Sequence, residues 1–220
     1  MPDDTISNSQ IIASYREQRP DGSYPSIIIN SINLTKVIDL VTANRLSELV
    51  DYLTGEVNRL AAAGADFAAF ASNTPHIVFD ELQRRSPIPL ISIVQATCDS
   101  AKAMGARKLG LFGSLFTMQG RVYPETFSRA GIALIVPDAA DQTYIHDHYM
   151  DELVHSVFLP ETRDGMLAIA ARLKERDNIE GLILGGTELP ILLREGTSND
   201  FPFLDTTQIH VKSIVAELLS

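Results

Sequence analysis

The sequence of 220 residues contains a single cysteine, Cys98. One thiol cannot form an internal disulfide, so a disulfide framework is excluded and a cytoplasmic location is expected. Basic residues are also scarce, because 18 Lys and Arg stand against 28 Asp and Glu, which gives a net charge of −10. Nucleic-acid-binding domains carry clustered Lys and Arg, so we expect no nucleic-acid partner.

Long apolar runs are absent as well. No run approaches the ~18 residues that a helix needs to span a bilayer, so we expect no membrane association. The polar first twenty residues lack the basic and apolar regions of a secretory signal. With 45% hydrophobic and 21% charged residues, the composition is typical of a globular protein. The length suits one large α/β domain or two of roughly 100 residues each.

Short apolar runs rich in β-branched residues alternate with segments of helical periodicity. The predicted strands are Ser26–Ile32, Asp66–Ala71, Pro89–Val94, Lys108–Ser114, Ile132–Pro137, Glu180–Gly186 and Phe201–Thr207. Such alternation predicts an α/β fold with parallel sheets covered by helices. The pattern restarts near Lys108, so we predict two Rossmann-like halves with a cleft between them. The first half comprises residues 1–98 plus 208–220, and the second comprises residues 99–207.

Two turns share one layout, in which a buried strand ends in small polar residues and a helix follows. The first is "SNTPH" from Ser72 to His76, and the second is "GGTE" from Gly185 to Glu188. Free N–H groups and hydroxyls at a helix N-terminus suit an anion, and ligands of parallel sheets lie at the strands' carboxyl ends. By itself, "SNTP" is more often a helix cap than a binding site, and "GGTE" is equally explained as a tight turn. One such turn in each half favours a shared site for a small carboxylate.

These turns belong to a wider set of motifs. The others are "PLISIVQAT" (Pro89–Thr97), "GLFGSLFTM" (Gly110–Met118) and "FLDTTQIH" (Phe203–His210). Together they resemble the aspartate/glutamate racemase family of the Asp/Glu/hydantoin racemase superfamily, over residues 27–220. The resemblance implies two α/β domains related by a pseudo-twofold axis and a homodimer. It also implies a cofactor-independent reaction on a small amino acid or carboxylic acid in the cleft.

The resemblance places the two catalytic cysteines of the family on Ser72 and Gly186, so this chain lacks both motif thiols. In the family, one thiolate removes the α-proton and the other thiol returns a proton to the opposite face, a task that suits groups titrating near neutrality. We therefore treat Ser72 and Gly186 as the catalytic positions, with Glu188 and His76 as further candidates. Cys98 matches neither motif and is predicted to be a small buried hydrophobic residue.

Substrate-binding roles are also implied by the resemblance. The residues concerned are Asn73, Thr74, Ser114, Thr117, Thr187 and His210. For the residues at helix starts, capping is the alternative, and the helix dipole favours Glu188 at its position in any case. For His76 and His210, the alternative is a buried, hydrogen-bonded structural role.

Three further histidines, His146, His148 and His155, lie on one predicted helix. The two histidines of "HDH" are two positions apart and face different sides of a helix, so we predict no metal site.

Three functions remain open. The first is an enzyme in which Ser72, His76, Thr187 or Glu188 replaces the thiols. The second is a catalytically silent binder, and the third is another superfamily reaction such as decarboxylation or cis-trans isomerisation. Family members open with a strand and a Gly-rich turn, whereas "SQIIASYREQ" predicts the helix that should follow them. Either the native chain begins upstream of Met1 or this protein lacks one sheet strand.

Overall fold

The computed structural model describes residues 2–193 and 201–220, with side chains from residue 8 onward. The strands are β1 (Ala68–Ala69), β2 (Leu90–Ile91), β3 (Lys108–Gly113), β4 (Ala133–Ile135), β5 (Leu182–Gly185) and β6 (Phe203–Asp205). The helices are α1 (Pro2–Glu17), α2 (Leu34–Thr42), α3 (Leu46–Ala62), α4 (Phe79–Arg85), α5 (Ile93–Ala103), α6 (Leu115–Met118), α7 (Val122–Arg129), α8 (Ala139–Asp151), α9 (Pro160–Asp177), α10 (Leu189–Leu193) and α11 (Thr206–Leu218). Two 3₁₀ segments lie at Thr74–Val78 and Leu153–His155.

The strands form two parallel sheets. β1 pairs with β2, with Ala68 opposite Leu90. The second sheet has the order β4-β3-β5-β6, and Gly110 of β3 lies opposite Leu182 of β5. The predicted α/β class with two parallel sheets is therefore confirmed. All of these strands place their carboxyl ends at one edge of their sheet, which is where ligands of such folds bind.

The second sheet is buried on both faces. Leu109 and Leu111 of β3 pack with Phe127 of α7 on one face. Phe112 packs with Met166 of α9 on the other face. Strands covered by helices on both sides carry continuous apolar runs, and this explains why β3 and β5 were predicted correctly from sequence.

The first half has its own core around α3. Leu49, Leu53 and Val57 recur at a spacing of four and pack against Leu82 of α4. α11 packs against α1 and α5, and so returns the end of the chain to the first half. The predicted division at residue 98 falls inside α5, and it stays a prediction.

The prediction of a strand at Ser26–Ile32 is wrong, because this segment forms no strand in the part of the chain that the structure describes. Its residues and those of β1 border the same cavity, and the segment pairs with none of the strands in the described ranges. Ile28 and Ile29 are consequently about half exposed. The β-branched pattern indicated an extended backbone, but a strand also needs a partner.

Several boundaries also differ from prediction. A 3₁₀ segment begins at Thr74, with Pro75 in its first turn, and α4 follows it. α5 begins at Ile93, inside the predicted strand Pro89–Val94, because Ser92 accepts a capping hydrogen bond from the N–H of Gln95. His155 lies in the 3₁₀ segment after α8, whereas it was predicted to share a helix with His146 and His148.

Glycine follows three of the helices. Gly64, Gly105 and Gly131 all adopt positive φ angles just after a helix, a conformation in which glycine is least strained. The predicted first helix is confirmed as α1. None of the helices in the described ranges is long and apolar enough to cross a membrane.

Candidate active site

A cavity of about 350 Å³ runs along β1, from Gly64 before the strand to Ser72 after it. Its walls come from the extended segment 26–32, residues 64–72 around β1, and side chains of α1, α2, α3 and α11. Most of the lining is apolar, with Val57 and Ile214 among the contributors. Ligand pockets typically combine such an apolar wall with a few polar groups that fix orientation.

Four polar side chains from the motif regions line this cavity. They are Ser72, Thr187, Thr207 and His210. The first comes from the "SNTPH" turn and the second from the "GGTE" turn, so the structure brings these two predicted site residues to one cavity. Thr207 is 6% exposed, and its hydroxyl has no hydrogen-bond partner among the described residues. A buried hydroxyl without a partner can form a hydrogen bond with a bound ligand.

Asn73 connects the two halves of the molecule. Its Oδ1 accepts a hydrogen bond of 2.6 Å from the hydroxyl of Tyr123. Its Nδ2 lies 3.5 Å from Oγ1 of Thr206, which in turn donates to the carbonyl of Leu184 in β5. The side chain makes no capping hydrogen bond to the 3₁₀ segment that follows. Asn73 therefore joins the first turn to the strand that leads into the second turn.

Thr74 begins the 3₁₀ segment and is half-buried, and it does not border the cavity. Ser114 precedes α6 and Thr117 lies within it, and their hydroxyl oxygens are 3.4 Å apart. Both are buried, and neither borders the cavity. These three predicted substrate ligands are therefore not part of the lining that Ser72 and Thr187 share, and their binding role stays a prediction.

His76 is buried beneath the first turn with both ring nitrogens engaged. Nδ1 donates to the carbonyl of Ser72 at 3.1 Å, and Nε2 accepts from the N–H of Ile93 at 3.2 Å. Burial, together with the nearby His210, lowers the pKa of His76 to about 3. The ring is therefore neutral near neutral pH, and it fixes the turn to the start of α5.

His210 lies on α11 with its ring centroid 6.5 Å from that of His76. Its Nε2 donates to the carbonyl of Ile91 at 3.0 Å. Burial lowers the pKa of His210 to about 4, so this ring is also neutral near neutral pH. His210 therefore contributes a hydrogen-bonding ring, and no positive charge, to the cavity wall near neutral pH.

The second turn is built around Gly186. A Cβ atom placed on this glycine would lie 2.6 Å from Cε2 and 2.8 Å from the hydroxyl of Tyr149, a residue of α8. The Tyr149 hydroxyl donates a short hydrogen bond to Oε2 of Glu188. Thr187 Oγ1 donates to the same oxygen at 2.8 Å. Glu188 is 4% exposed, so its carboxylate is buried and held by two hydroxyl groups.

Cys98 is 1% exposed in α5 and packs against the second sheet. Burial raises the pKa of its thiol, which makes the reactive thiolate less available. The thiol is not part of the cavity lining.

Potential metal ligands are dispersed. Nowhere in residues 2–193 and 201–220 do three or more His, Cys, Asp or Glu side chains gather as a metal site. His146 Nδ1 accepts a hydrogen bond from the N–H of Leu115, and His148 Nδ1 bonds Glu152.

Sequence reasoning missed Thr207 and Tyr149. Thr207 lies within the quoted motif "FLDTTQIH", where only His210 was selected, so the motif itself held the signal. Tyr149 lies in the helix that was considered only for its histidines. Its contact with Gly186 joins distant parts of the chain, and no local pattern indicates it.

The chain was compared with known proteins. The family model described as Asp/Glu/Hydantoin racemase matches residues 8–214. The broad specificity amino-acid racemase RacX of Bacillus subtilis (strain 168) is 24% identical over 164 residues, covering 74% of this chain and 69% of that protein.

Two solved structures are similar over their full length. A candidate Asp/Glu racemase from Yersinia pestis has a TM-score of 0.90 at 25% identity, covering 100% of this chain and 95% of the other. An aspartate racemase homologue from Pyrococcus horikoshii OT3 has a TM-score of 0.84 at 27% identity, covering 100% and 96%.

Proposed function

The chain belongs to the Asp/Glu/hydantoin racemase family, and from this premise we propose that it binds a small amino acid or carboxylic acid between its two turns and exchanges the ligand's α-proton without a cofactor. The observation that carries the proposal is the shared cavity. Ser72 and Thr187 are 115 positions apart in sequence, yet both line it. A cleft with one hydroxyl from each turn suits an amino acid, because the Ser72 hydroxyl can donate to its carboxylate and the Thr187 oxygen can accept from its ammonium group.

The cavity chemistry supports an acid as ligand. Ser72 and Thr207 offer two hydroxyl donors, and the buried Thr207 hydroxyl has no partner within the described ranges. The Thr187 hydroxyl donates to Glu188, so its oxygen can accept from the ammonium group of an amino acid. The volume of about 350 Å³ lies at the small end of the range for ligand pockets. The similarity to RacX supports an amino acid as the ligand.

α-Proton exchange in D₂O, followed by NMR over a panel of L- and D-amino acids, tests the proposal. We expect loss of the Cα–H signal for at least one amino acid, at a rate above that of the protein-free control. Ser72→Ala and Thr187→Val should both reduce that rate. Exchange that is absent across the panel would reject the enzymatic function.

A second candidate is a binder that does not catalyse the reaction. It is favoured by the residues at the two catalytic positions, because Ser72 is a poor base and Gly186 has no side chain. The same panel separates the two functions, since a silent binder gives a saturable calorimetric signal without any loss of the Cα–H resonance.

A homodimer and a cytoplasmic location are further proposals. The first follows from the family resemblance, and the second from the single cysteine in the chain. Sedimentation at several protein concentrations measures the oligomeric state directly.

A further inference from the structure

The cavity has a polar end, where β1 finishes and α11 begins. Ser72 follows β1, and Thr207 lies in the first turn of α11. The two elements meet there, because Asn73 Nδ2 lies 3.5 Å from Oγ1 of Thr206. Thr207 contributes a buried hydroxyl that has no partner among the described residues. This end of the cavity therefore suits the carboxylate of a ligand.

Beyond the polar end, α11 lines the cavity with an apolar face. After His210, the residues of α11 in the lining are Val211, Ile214 and Leu218. Positions three and four apart lie on the same side of a helix, so these side chains form one continuous surface. Ile214 lies about 6 Å beyond His210 along the helix axis, at 1.5 Å per residue. A ligand side chain that extends from the polar end along α11 therefore meets apolar groups.

The other walls of the cavity are apolar as well. The contributors from α2, α3 and the residues around β1 are Val37, Val57, Leu60, Phe67 and Phe70. Moving an apolar side chain from water to such a wall is favourable in proportion to the apolar area that is buried. An apolar ligand side chain is therefore stabilised beyond the polar end of the cavity.

The charged side chains that border the cavity are acidic. They are Glu56 and Asp66, and no Lys or Arg of the described residues lines the cavity. Burial acts to raise the pKa of Glu56, but hydrogen bonds from Asn30 and Arg59 outweigh it and lower the pKa. His210 is neutral near neutral pH. A second carboxylate on a ligand would find no cation in the described lining, and an ionised group is costly to bury without one.

We propose that the cavity selects an α-amino acid with an apolar side chain of medium size, such as leucine or methionine, over aspartate and glutamate. This inference rests on the proposed function and names the ligand class of the same site. Ser72 and Thr207 donate to the ligand carboxylate. The Thr187 oxygen accepts from the ammonium group, because its hydroxyl proton is used by Glu188. The ligand side chain packs along α11 against Ile214.

Calorimetric titration of wild type with leucine, asparagine and aspartate tests the inference, because the three side chains branch at the same carbon and differ in polarity and charge. Each amino acid is tested in both enantiomers, and the tighter one is compared. We expect leucine to bind at least about tenfold more tightly than aspartate and than alanine, which has little apolar surface to bury. Asparagine and lysine should also bind more weakly than leucine.

Ile214→Ala tests the apolar wall at a half-buried position. It should weaken leucine binding about fivefold and leave alanine binding within about twofold, because alanine does not reach the removed methyl groups. Ile209→Ala is the matched control, since Ile209 is also half-buried on α11 but packs against the core of the second sheet. It should bind leucine like the wild type. Thermal melts show whether each variant is folded.

Aspartate that binds wild type as tightly as leucine does would overturn the inference and leave the proposed function standing. Lysine or asparagine binding more tightly than leucine, or alanine binding as tightly, would have the same consequence. A folded Ile214→Ala protein that binds leucine like the wild type would also overturn it. Absence of binding by every amino and carboxylic acid tested at about 10 mM would reject both the inference and the proposed function.

Discussion

His76 and His210 are neutral in the folded protein at a pH where the unfolded chain begins to bind protons at the same rings. Their pKa values fall to about 3 and about 4, from an ordinary value of about 6.5, chiefly because burial disfavours the charged ring. The unfolded chain therefore binds more protons than the folded protein below about pH 6.5. The stability that these two neutral rings contribute is fully present above about pH 6.5. It is lost progressively as the pH falls toward the pKa values of the two histidines in the folded protein.

We predict that the free energy of unfolding decreases from pH 7 to pH 5. Each histidine contributes up to about 1.4 kcal/mol per pH unit in this window. Urea denaturation at closely spaced pH values measures the slope. His210→Gln, whose amide can still donate to the Ile91 carbonyl, should reduce the slope by about half. His155→Gln changes an exposed histidine and should leave it unchanged. Equal slopes in wild type, His210→Gln and His155→Gln would show that His210 does not cause the pH dependence of the free energy of unfolding.

The contact between Gly186 and Tyr149 changes how a thiol can be restored to the site. A cysteine at position 186 would place its Cβ 2.6 Å from the tyrosine ring. We predict that Ser72→Cys with Gly186→Cys lowers the melting temperature and gives little racemisation. Adding Tyr149→Ala to this pair should recover stability and raise racemisation at least about tenfold above the double variant, because general acid–base groups typically contribute ~10²–10⁴-fold.

Chiral chromatography and thermal melts measure both effects. Gly186→Ala, with and without Tyr149→Ala, is the control that isolates the steric part. A Gly186→Ala protein as stable as the wild type would show that the ring moves aside freely.

Among the secondary-structure elements, the turn after β1 and strand β5 are connected by side chains. Tyr123 donates to Asn73, and Asn73 reaches Thr206, which is anchored on the Leu184 carbonyl. Burial raises the pKa of Tyr123, so its phenol stays protonated and acts as a donor. These bonds hold the Ser72 turn in a fixed relation to the strand that leads to Gly186.

Asn73→Ala should therefore destabilise the protein by about 1–3 kcal/mol, because it removes the acceptor of a buried hydroxyl. Thr206→Val removes the other end of the connection. In a double-mutant cycle the two losses should be less than additive, since both act on one network. Urea denaturation gives the values, and strict additivity would show that Asn73 and Thr206 act independently.

α5 carries the only thiol, and it packs Cys98 away from the cavity. Cys98→Ala should cost about 1 kcal/mol of stability from lost packing. Ligand affinity and exchange rate should stay within a few-fold of wild type, as measured by calorimetry and NMR. A folded Cys98→Ala protein without activity would place the chemistry at a different site.

For the whole molecule, sequence patterns predicted the fold better than the site. β3 and β5 are continuous apolar runs because helices cover both faces of the sheet, and that requirement is visible locally. Ser26–Ile32 has an equally strong strand pattern and forms no strand, because pairing depends on a neighbour that composition does not reveal. The two turns were located from their motifs, whereas Tyr149 was missed because its position depends on how α8 packs.

The central claim is that a small acid binds between the two turns. Isothermal titration calorimetry of wild type, Ser72→Ala and Thr187→Val against a panel of amino and carboxylic acids tests it most directly. We predict that at least one acid binds wild type and that each substitution weakens it about tenfold, equivalent to about 1.4 kcal/mol for a lost hydrogen bond. Thr143→Val, at an exposed position of α8, should bind like wild type. Absence of binding at about 10 mM ligand, or equal affinity in all four proteins, would contradict the account.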